Sequence, residues 1–196
     1  MRCNASRHYI VGVSEFRSGN GAVWLDFLAT RIGRYRETQT EQLPDAAALR
    51  AWLIENGLGP REAPSERDVL FARELREALH AAAREALREA PPSLAAFRSI
   101  EAALAGDQPL RLERGRAGLQ PRAPATAAQA LARVAREAVE DLSGPARAQL
   151  HACGDDTCAG IFIDYTGRRH WCSDERCGNR ARVRAHRARA REGRST

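Results

Sequence analysis

Four cysteines near the C-terminus form the pattern in this sequence that most strongly indicates chemistry. Cys153, Cys158, Cys172 and Cys177 make two Cys-x4-Cys pairs, and thirteen residues separate the pairs. Thiolates are soft ligands, and four of them at paired spacing can close a tetrahedral shell around Zn²⁺ without leaving a position for a substrate. The sequence therefore predicts one structural zinc ion per chain, in a segment too small to build its own apolar core.

Two other states of these cysteines are compatible with their spacing: a pair of disulfides, or thiols buried singly. Disulfides require an oxidising compartment. Residues 1–12 lack the basic region and apolar run of a secretory signal, so we expect a cytoplasmic protein with reduced thiols. No apolar run approaches the roughly 20 residues of a membrane span, so we expect a soluble protein with no membrane partner. Cys3 has no partner in the pattern and is expected to be a free thiol.

The basic residues are distributed unevenly along the chain. All 31 are arginine, which together with abundant alanine indicates codon bias in a GC-rich genome rather than a binding function. Residues 168–196 nevertheless hold 10 arginines against three acidic residues, a net charge of +7, whereas residues 1–167 have a net charge of −1. Codon bias alone does not segregate charge in this way. The sequence therefore predicts a basic appendage on a near-neutral body.

A basic helix is predicted directly after the fourth cysteine, from Arg180 to about Arg191. Like charges at four-residue spacing destabilise an isolated helix, and a polyanion would compensate because it releases its condensed counterions. Ala181, Ala185 and Ala188 are expected to form a thin face directed toward the body. The predicted nucleic-acid contacts are Arg180, Arg182, Arg184, Arg187, Arg189 and Arg191. A solvated basic tail is the alternative.

The segment between the cysteine pairs is predicted to form a β-hairpin. Ile161–Asp164 has the pattern of one strand, residues 165–167 that of a turn, and residues 170–172 that of a second strand. This arrangement is typical of a zinc ribbon or treble clef. At the knuckle we expect Gly178 to adopt a positive φ and Asn179 to cap the basic helix.

The part of the chain before the zinc segment is predicted to be mainly α-helical. Apolar periodicity and capping signals predict five helices, which begin near Ala22, Asp45, Ser65, Ser93 and Thr126. The first is expected to reach Ile32, and a short β-hairpin is predicted within residues 109–124. The fold class is thus mainly α with a small β-hairpin: an irregular helical body, then a four-cysteine zinc module that ends in a basic helix. We place the two domains at residues 1–148 and 149–196.

Two motifs resemble those of a known protein family. Trp171-Cys172-x4-Cys177-Gly178-Asn179-Arg180, followed by an Arg-rich helix, resembles the CGNR zinc finger. In that family the finger commonly follows an N-terminal ABATE domain. The run Leu25-Asp26-Phe27-Leu28-Ala29-Thr30 resembles the Leu-Asp-Phe-Val-Asn-Thr signature of that domain, with Ala29 in place of Asn. The resemblance covers nearly the whole chain and implies a bacterial, stress-related transcription regulator that binds zinc and DNA.

The function predicted from these patterns is that of a zinc-dependent, DNA-binding transcription regulator. The helical body would sense a small-molecule effector or form a homodimer, and Trp24 and Trp52 would either line an effector pocket or belong to the core. The sequence has no Gly-rich phosphate loop, His-Glu-x-x-His or Gly-x-Ser-x-Gly motif, so we do not expect an enzyme. The alternative is an RNA-binding or protein-interaction module that uses the same helix, with zinc purely structural.

Overall fold

The protein is mainly α-helical, with three small antiparallel sheets. The computed structural model describes residues 16–115 and 118–192. The helices are α1 Val23–Leu28, α2 Ala46–Glu55, α3 Glu66–Ala86, α4 Leu94–Leu104, α5 Ala127–Ser143 and α6 Asn179–Glu192. The strand pairs are β1 Arg31–Ile32 with β2 Thr40–Glu41, β3 Leu112–Gly115 with β4 Gly118–Pro121, and β5 Leu150–Ala152 with β6 Ile161–Ile163. The predicted fold class is confirmed, and so is the hairpin expected within residues 109–124.

Side-chain caps set the starts of α2 to α5. Asp45, Ser65, Ser93 and Thr126 each accept a hydrogen bond from the backbone N–H three residues later. At Ser65 the cap is reciprocal, because Asp68 accepts from the backbone N–H of Ser65 at 2.8 Å. This is a capping box in which Asp replaces the usual Glu or Gln. The four predicted helix starts are therefore confirmed.

Helix α1 is shorter than predicted, because the chain turns after Leu28. The Thr30 hydroxyl donates to the backbone carbonyl of Phe27 at 2.7 Å, and Gly33 has a φ of 72° that favours glycine. Ile32 then pairs with Thr40 in the β1–β2 sheet. The prediction that the helix reaches Ile32 is wrong, since the apolar pattern at helical spacing is divided between a helix and a strand.

The two tryptophans of the N-terminal half belong to the apolar core. Trp24 and Trp52 are both fully buried. Trp24 Nε1 donates to the Asp141 carboxylate at 2.9 Å, and the Trp52 ring packs against Phe27 with 5.0 Å between ring centroids. Within the described residues, neither ring has surface exposed to a ligand. Of the two expectations for these residues, the core position is the correct one.

The core of the body continues into the C-terminal segment. Leu150, Ile161 and Ile163 are buried in the same apolar cluster as α1, α3 and α5. The backbone N–H of Ile163 donates to the carbonyl of Asn20 at 2.8 Å, which ties β6 to the chain just before α1. The β5–β6 sheet is therefore anchored on the helical body, and it fixes where the cysteine loops begin.

Helix α3 carries an arginine that is almost completely enclosed. The Arg76 side chain is 1 % exposed, and its Nη1 donates to Glu41 at 2.7 Å and to the Thr30 hydroxyl at 2.9 Å. A buried cation is tolerated when it is paired and its donors are satisfied. The interaction joins α3, β2 and the turn after α1, so it holds the short β1–β2 sheet against the body.

We expect Arg76→Ala to destabilise the fold by about 3 kcal/mol or more, because it removes the charged donor of the partly exposed Glu41 carboxylate and of the buried Thr30 hydroxyl. The free energy of unfolding from urea titration measures this loss. Arg67→Ala is a matched control, because Arg67 is an exposed arginine on the same helix, and we expect a change within about 0.5 kcal/mol. Equal values for the two variants would contradict a structural role of Arg76.

Candidate metal centre and basic helix

The four cysteine sulfurs converge on one point. All four Sγ atoms lie within 4.8 Å of one another. The Sγ atoms of Cys158 and Cys172 are 3.8 Å apart, and those of Cys172 and Cys177 are 3.5 Å apart. Four ligands at a Zn–S distance of about 2.3 Å would be about 3.8 Å from each other in a tetrahedron. The donor set therefore fits a single Zn²⁺ ion.

The two other states of the cysteines do not fit this arrangement. A disulfide requires sulfurs about 2.05 Å apart, and Cys153, Cys158, Cys172 and Cys177 are all free thiols. Four sulfurs within contact distance are also not singly buried cysteines. His151 and His170, each two residues before a cysteine, are exposed and do not belong to the cluster.

The close packing of the four sulfurs shifts the pKa values of the thiols, and a divalent cation bound between them would stabilise the thiolate forms. Hydrogen bonds from Cys158 and Cys172 lower the pKa of Cys153 far below that of a free thiol. The same hydrogen bond to Cys153 raises the pKa of Cys158 to about 12, because a second thiolate would lie beside the first. A bound Zn²⁺ supplies the positive charge that stabilises all four sulfurs as thiolates.

The strand pairing around the cluster differs from the predicted hairpin. Strand β6 pairs with β5, in the register Leu150 with Ile163, and not with residues 170–172. The reason is burial: Leu150 and Ile163 both reach the core, whereas His170 is exposed and Trp171 and Cys172 are only partly buried. The turn after β6 is organised instead by Asp164, which accepts from the backbone N–H of Arg169 at 2.7 Å.

Two glycines of the zinc module lie where an added side chain would meet neighbouring atoms at close range. A Cβ on Gly178 would lie 2.4 Å from the Asp174 carboxylate, and one on Gly160 would lie 2.8 Å from Cys172 Sγ and 3.2 Å from Cys158 Sγ. The N–H of Gly160 also donates to Cys158 Sγ at 3.3 Å. Gly178 does not have a positive φ, so the predicted reason for glycine there is wrong. A Cβ at position 178 would instead displace the Asp174 carboxylate from its contact with Arg182.

Helix α6 continues directly from the fourth cysteine loop. A π-helical turn at Asp174–Gly178 precedes it, and the Ser173 hydroxyl caps that turn by accepting from the N–H of Arg176 at 3.3 Å. Asn179 has helical backbone angles, with φ −61° and ψ −43°. It is the first residue of α6 and not its cap. The predicted capping role is wrong because the helical path starts one turn earlier, inside the cysteine loop.

A buried carboxylate joins the first cysteine pair to α6. Asp155 is fully buried, and it accepts from Arg180 at 2.9 and 2.7 Å and from Arg184 at 2.8 Å. It also accepts from the Thr157 hydroxyl at 2.9 Å. Arg180 Nη2 is in turn 2.9 Å from Cys177 Sγ. Burial would raise the pKa of Asp155, but the hydrogen bonds from Arg184, Arg180 and Thr157 outweigh it and hold the pKa well below its usual range.

Two further acidic residues pair with α6 at the surface. Arg182 donates to Asp174 at 2.6 Å, and Arg184 also reaches Asp156 at 3.0 Å. The Asp156 side chain is 83 % exposed and that of Asp174 is 70 % exposed. Exposed ion pairs contribute little free energy, so another anion can replace Asp156 or Asp174 at small cost. The fully buried Asp155 differs from both in this respect.

The rest of α6 extends away from the module. Residues 182–190 are all exposed, and Ala185 and Ala188 are among them. The prediction that these alanines face the body is wrong, because α6 packs mainly against the turn that precedes it. Arg187 and Arg189 have no ion pair with any residue in the described ranges 16–115 and 118–192. The side chain of Arg191 lies outside the described part of the structure.

Polar contacts also join the body to the first cysteine loop. His80 on α3 lies with Nε2 3.3 Å from the carbonyl of Ala159, and Arg36 donates to the Thr157 hydroxyl at 3.2 Å. Burial, followed by the charge of Arg34, lowers the pKa of His80 to about 4. His80 is therefore neutral at the contact with the loop.

Comparison with known protein families agrees with this architecture. Residues 21–145 match the ABATE family, described as a putative stress-induced transcription regulator, and residues 149–190 match the CGNR zinc finger. Since the first match covers more than half of the chain, the protein belongs to the ABATE family, and it carries a CGNR zinc finger. These are regulator and zinc-finger families and not enzyme families. A search of curated proteins found no match.

The comparisons also agree with the zinc assignment. Cys153, Cys158, Cys172 and Cys177 all lie within the CGNR match and form the one metal-ligand cluster found among the described residues. The predicted structural zinc ion is confirmed, and these four cysteines lie close enough together to hold it. Within residues 16–115 and 118–192, none of the helices has the length and apolar character needed to span a membrane.

We expect Cys172→Ser to abolish zinc binding, because a hydroxyl is a poor substitute for a thiolate ligand. Elemental analysis should give one Zn²⁺ per chain for the parent, with Zn–S distances of about 2.3 Å by X-ray absorption. The matched control is Cys3→Ser, which changes a cysteine outside the cluster and outside the described residues, and which should keep its zinc. A parent with less than about half an equivalent of zinc, or a Cys172→Ser variant with unchanged content, would contradict the assignment.

The buried His80 predicts a component of stability that is lost in acid. Unfolded His80 takes up a proton below a pH of about 6.5, whereas the folded protein keeps it neutral down to a pH of about 4. Between pH 7 and pH 5 the parent should therefore lose up to about 2 kcal/mol more unfolding free energy than His80→Gln. Urea titrations at the two pH values test this, and protonation of the zinc ligands affects both proteins alike. Equal losses would show that His80 is not buried in the neutral form.

Proposed function

We propose that the protein is a zinc-dependent transcription regulator that binds DNA through α6. The observation that carries the proposal is the exposed, basic half of α6, which extends from a base held by four cysteines. Arg187 and Arg189 have no ion pair among the described residues, and a helix of 14 residues is about 21 Å long. A helix of this size fits the major groove of B-DNA, which is about 12 Å wide.

Electrostatics favour a polyanionic partner. The segment 168–196 has a net charge of +7, and four thiolates with one Zn²⁺ reduce the charge of the module by two. The remaining positive charge is concentrated on α6, which has six arginines and one acidic residue. Arg182 and Arg184 can exchange their exposed partners Asp174 and Asp156 for phosphates, whereas Arg187 and Arg189 are available without any exchange.

The metal has a structural role in this proposal. A shell of four thiolates leaves no coordination position for a reacting water or substrate, which supports a regulator and not an enzyme. We assign residues 149–196 to the DNA-binding module and residues 1–148 to the regulatory body, in the cytoplasm of a bacterium. Strands β5 and β6 are buried in the core of the body, so a conformational change in the body would also move the strands that lead into the zinc module.

A groove on the body supports a sensing or dimerisation role. It has a volume of about 610 Å³ and lies between the C-terminal halves of α3 and α5 and helix α4. Phe97, Ile100, Leu104 and Leu142 line it, and Phe97 is half exposed. Grooves of this size and apolar character are typical of sites for small molecules. It replaces the region between Trp24 and Trp52 as the place where we expect an effector.

Salt dependence of DNA binding tests the role of α6. We expect Arg187→Ala with Arg189→Ala to weaken binding of random-sequence duplex DNA and to flatten the log–log salt slope by about two units, roughly 0.9 per phosphate contact. A control of equal charge is Arg67→Ala with Arg98→Ala, two exposed arginines of the body. Identical affinities and slopes for the two double variants would exclude α6 as the binding element.

Competition between nucleic acids then separates the proposed function from its alternative. Structured RNA and duplex DNA are added to the complex at one salt concentration, and the displaced fraction is measured. Stronger displacement by duplex DNA supports a DNA-binding regulator. Stronger displacement by RNA would favour an RNA-binding module, and no binding of either would leave an acidic protein surface as the partner of α6.

A further inference from the structure

We propose that Asp155 is a positioning residue that fixes the direction and rotation of α6, so that the outer arginines of the helix meet the DNA. The inference rests on the proposed function and adds a specific residue to it. Nothing in the cysteine spacing points to this carboxylate, and it is neither a zinc ligand nor a DNA contact.

Both oxygens of Asp155 are used to hold α6. Oδ2 accepts from both Nε and Nη2 of Arg180, at 2.9 and 2.7 Å, and Oδ1 accepts from Arg184 Nη2 at 2.8 Å. The planar guanidinium and the carboxylate have a preferred mutual orientation. Arg180 and Arg184 are one helical turn apart, so contacts with a single carboxylate define the rotation of the helix about its axis.

The same carboxylate is fixed on the zinc side. Asp155 also accepts from the backbone N–H and the hydroxyl of Thr157, at 3.1 and 2.9 Å, inside the loop between Cys153 and Cys158. Arg180 reaches Cys177 Sγ as well, at 2.9 Å. Both cysteine pairs therefore contribute to the position of the first turn of α6, and Asp155 is the link between them.

The helix needs such a link because its other contacts are few. Residues 182–190 are exposed, and α6 packs mainly on the turn that precedes it. The charged partners at Asp156 and Asp174 are exposed and weak. Arg187 belongs to the same face as Arg180 and Arg184 but lies a turn further out, where Asp155 does not hold it. Asp155 thus pairs with the first two arginines of this face, and Arg187 remains available to contact DNA.

Asp155 could position α6, or it could contribute only a negative charge. These two roles predict opposite changes in DNA affinity when its carboxylate is removed. If Asp155 acted only as a negative charge near DNA, Asp155→Asn would strengthen binding, because it adds one net positive charge and frees two arginines. If Asp155 positions α6, the same change weakens binding although the net charge rises. Asp156→Asn makes the same change of charge at the next residue, which is exposed and contacts Arg184 alone among the partners given by the structure.

The experiment compares parent, Asp155→Asn and Asp156→Asn in three measurements: zinc content, affinity for random-sequence duplex DNA, and the ¹⁵N heteronuclear NOE of residues 183–190. We expect Asp155→Asn to keep its zinc, to bind about tenfold or more weakly, and to show reduced NOE values along α6. Asp156→Asn should bind as tightly as the parent or more tightly, with unchanged NOE values. An Asp155→Asn variant with the affinity and NOE values of Asp156→Asn would overturn the inference.

A second variant covers the case in which Asp155→Asn loses zinc. Arg180→Lys keeps the net charge and the carboxylate, but an ammonium has no second nitrogen with which to repeat the paired Nε and Nη2 contact. We expect lower affinity and lower NOE values with full zinc content, and parent-like behaviour would overturn the inference. Failure of the proposed function is distinct: the parent itself would show no salt-dependent DNA binding. The NOE comparison would then still decide whether Asp155 orders α6.

Discussion

Convergence of four thiols on one centre is the constraint on which the functional half of the molecule depends. Cys153 and Cys158 come from one loop, Cys172 and Cys177 from another, and their sulfurs lie within 4.8 Å. Four thiolates repel one another at this distance, so a divalent cation is needed to hold them together. Backbone must also pass very close to the sulfurs, which explains the glycine at position 160. The loops, the turn before α6 and the start of α6 all follow from this one requirement.

The body and the basic helix are connected to the cluster from opposite sides. On the body side, β5 and β6 bury Leu150 and Ile163 in the core, and His80 contacts the first cysteine loop. On the helix side, Asp155 forms ion pairs with Arg180 and Arg184. The cluster thus lies between the helical body and the exposed outer part of α6. In the function proposed above, this arrangement would let changes in the body alter the position of α6.

Sequence reasoning succeeded where the signal was local. The four-cysteine site, the capped starts of α2 to α5 and the position of the basic helix follow from short-range spacing and hydrogen bonding. Sequence reasoning failed where contacts between residues far apart in the sequence determine the local structure. The partner of β6 is selected by burial of Leu150, and the end of α1 by the Thr30 turn. Asp155 was missed because its partners lie 25 and 29 positions away along the chain, and a single Asp near a cysteine carries no pattern.

We propose that zinc creates the DNA-binding surface by fixing the base of α6. DNA affinity tests this when it is measured on one sample before chelation of zinc, after chelation, and after zinc is restored, at constant salt. We expect the affinity to fall on chelation and to return with one equivalent of Zn²⁺ per chain, because an unanchored α6 must be ordered on binding at a cost in free energy. Zinc-free protein that binds duplex DNA with the same affinity and the same salt slope would contradict it.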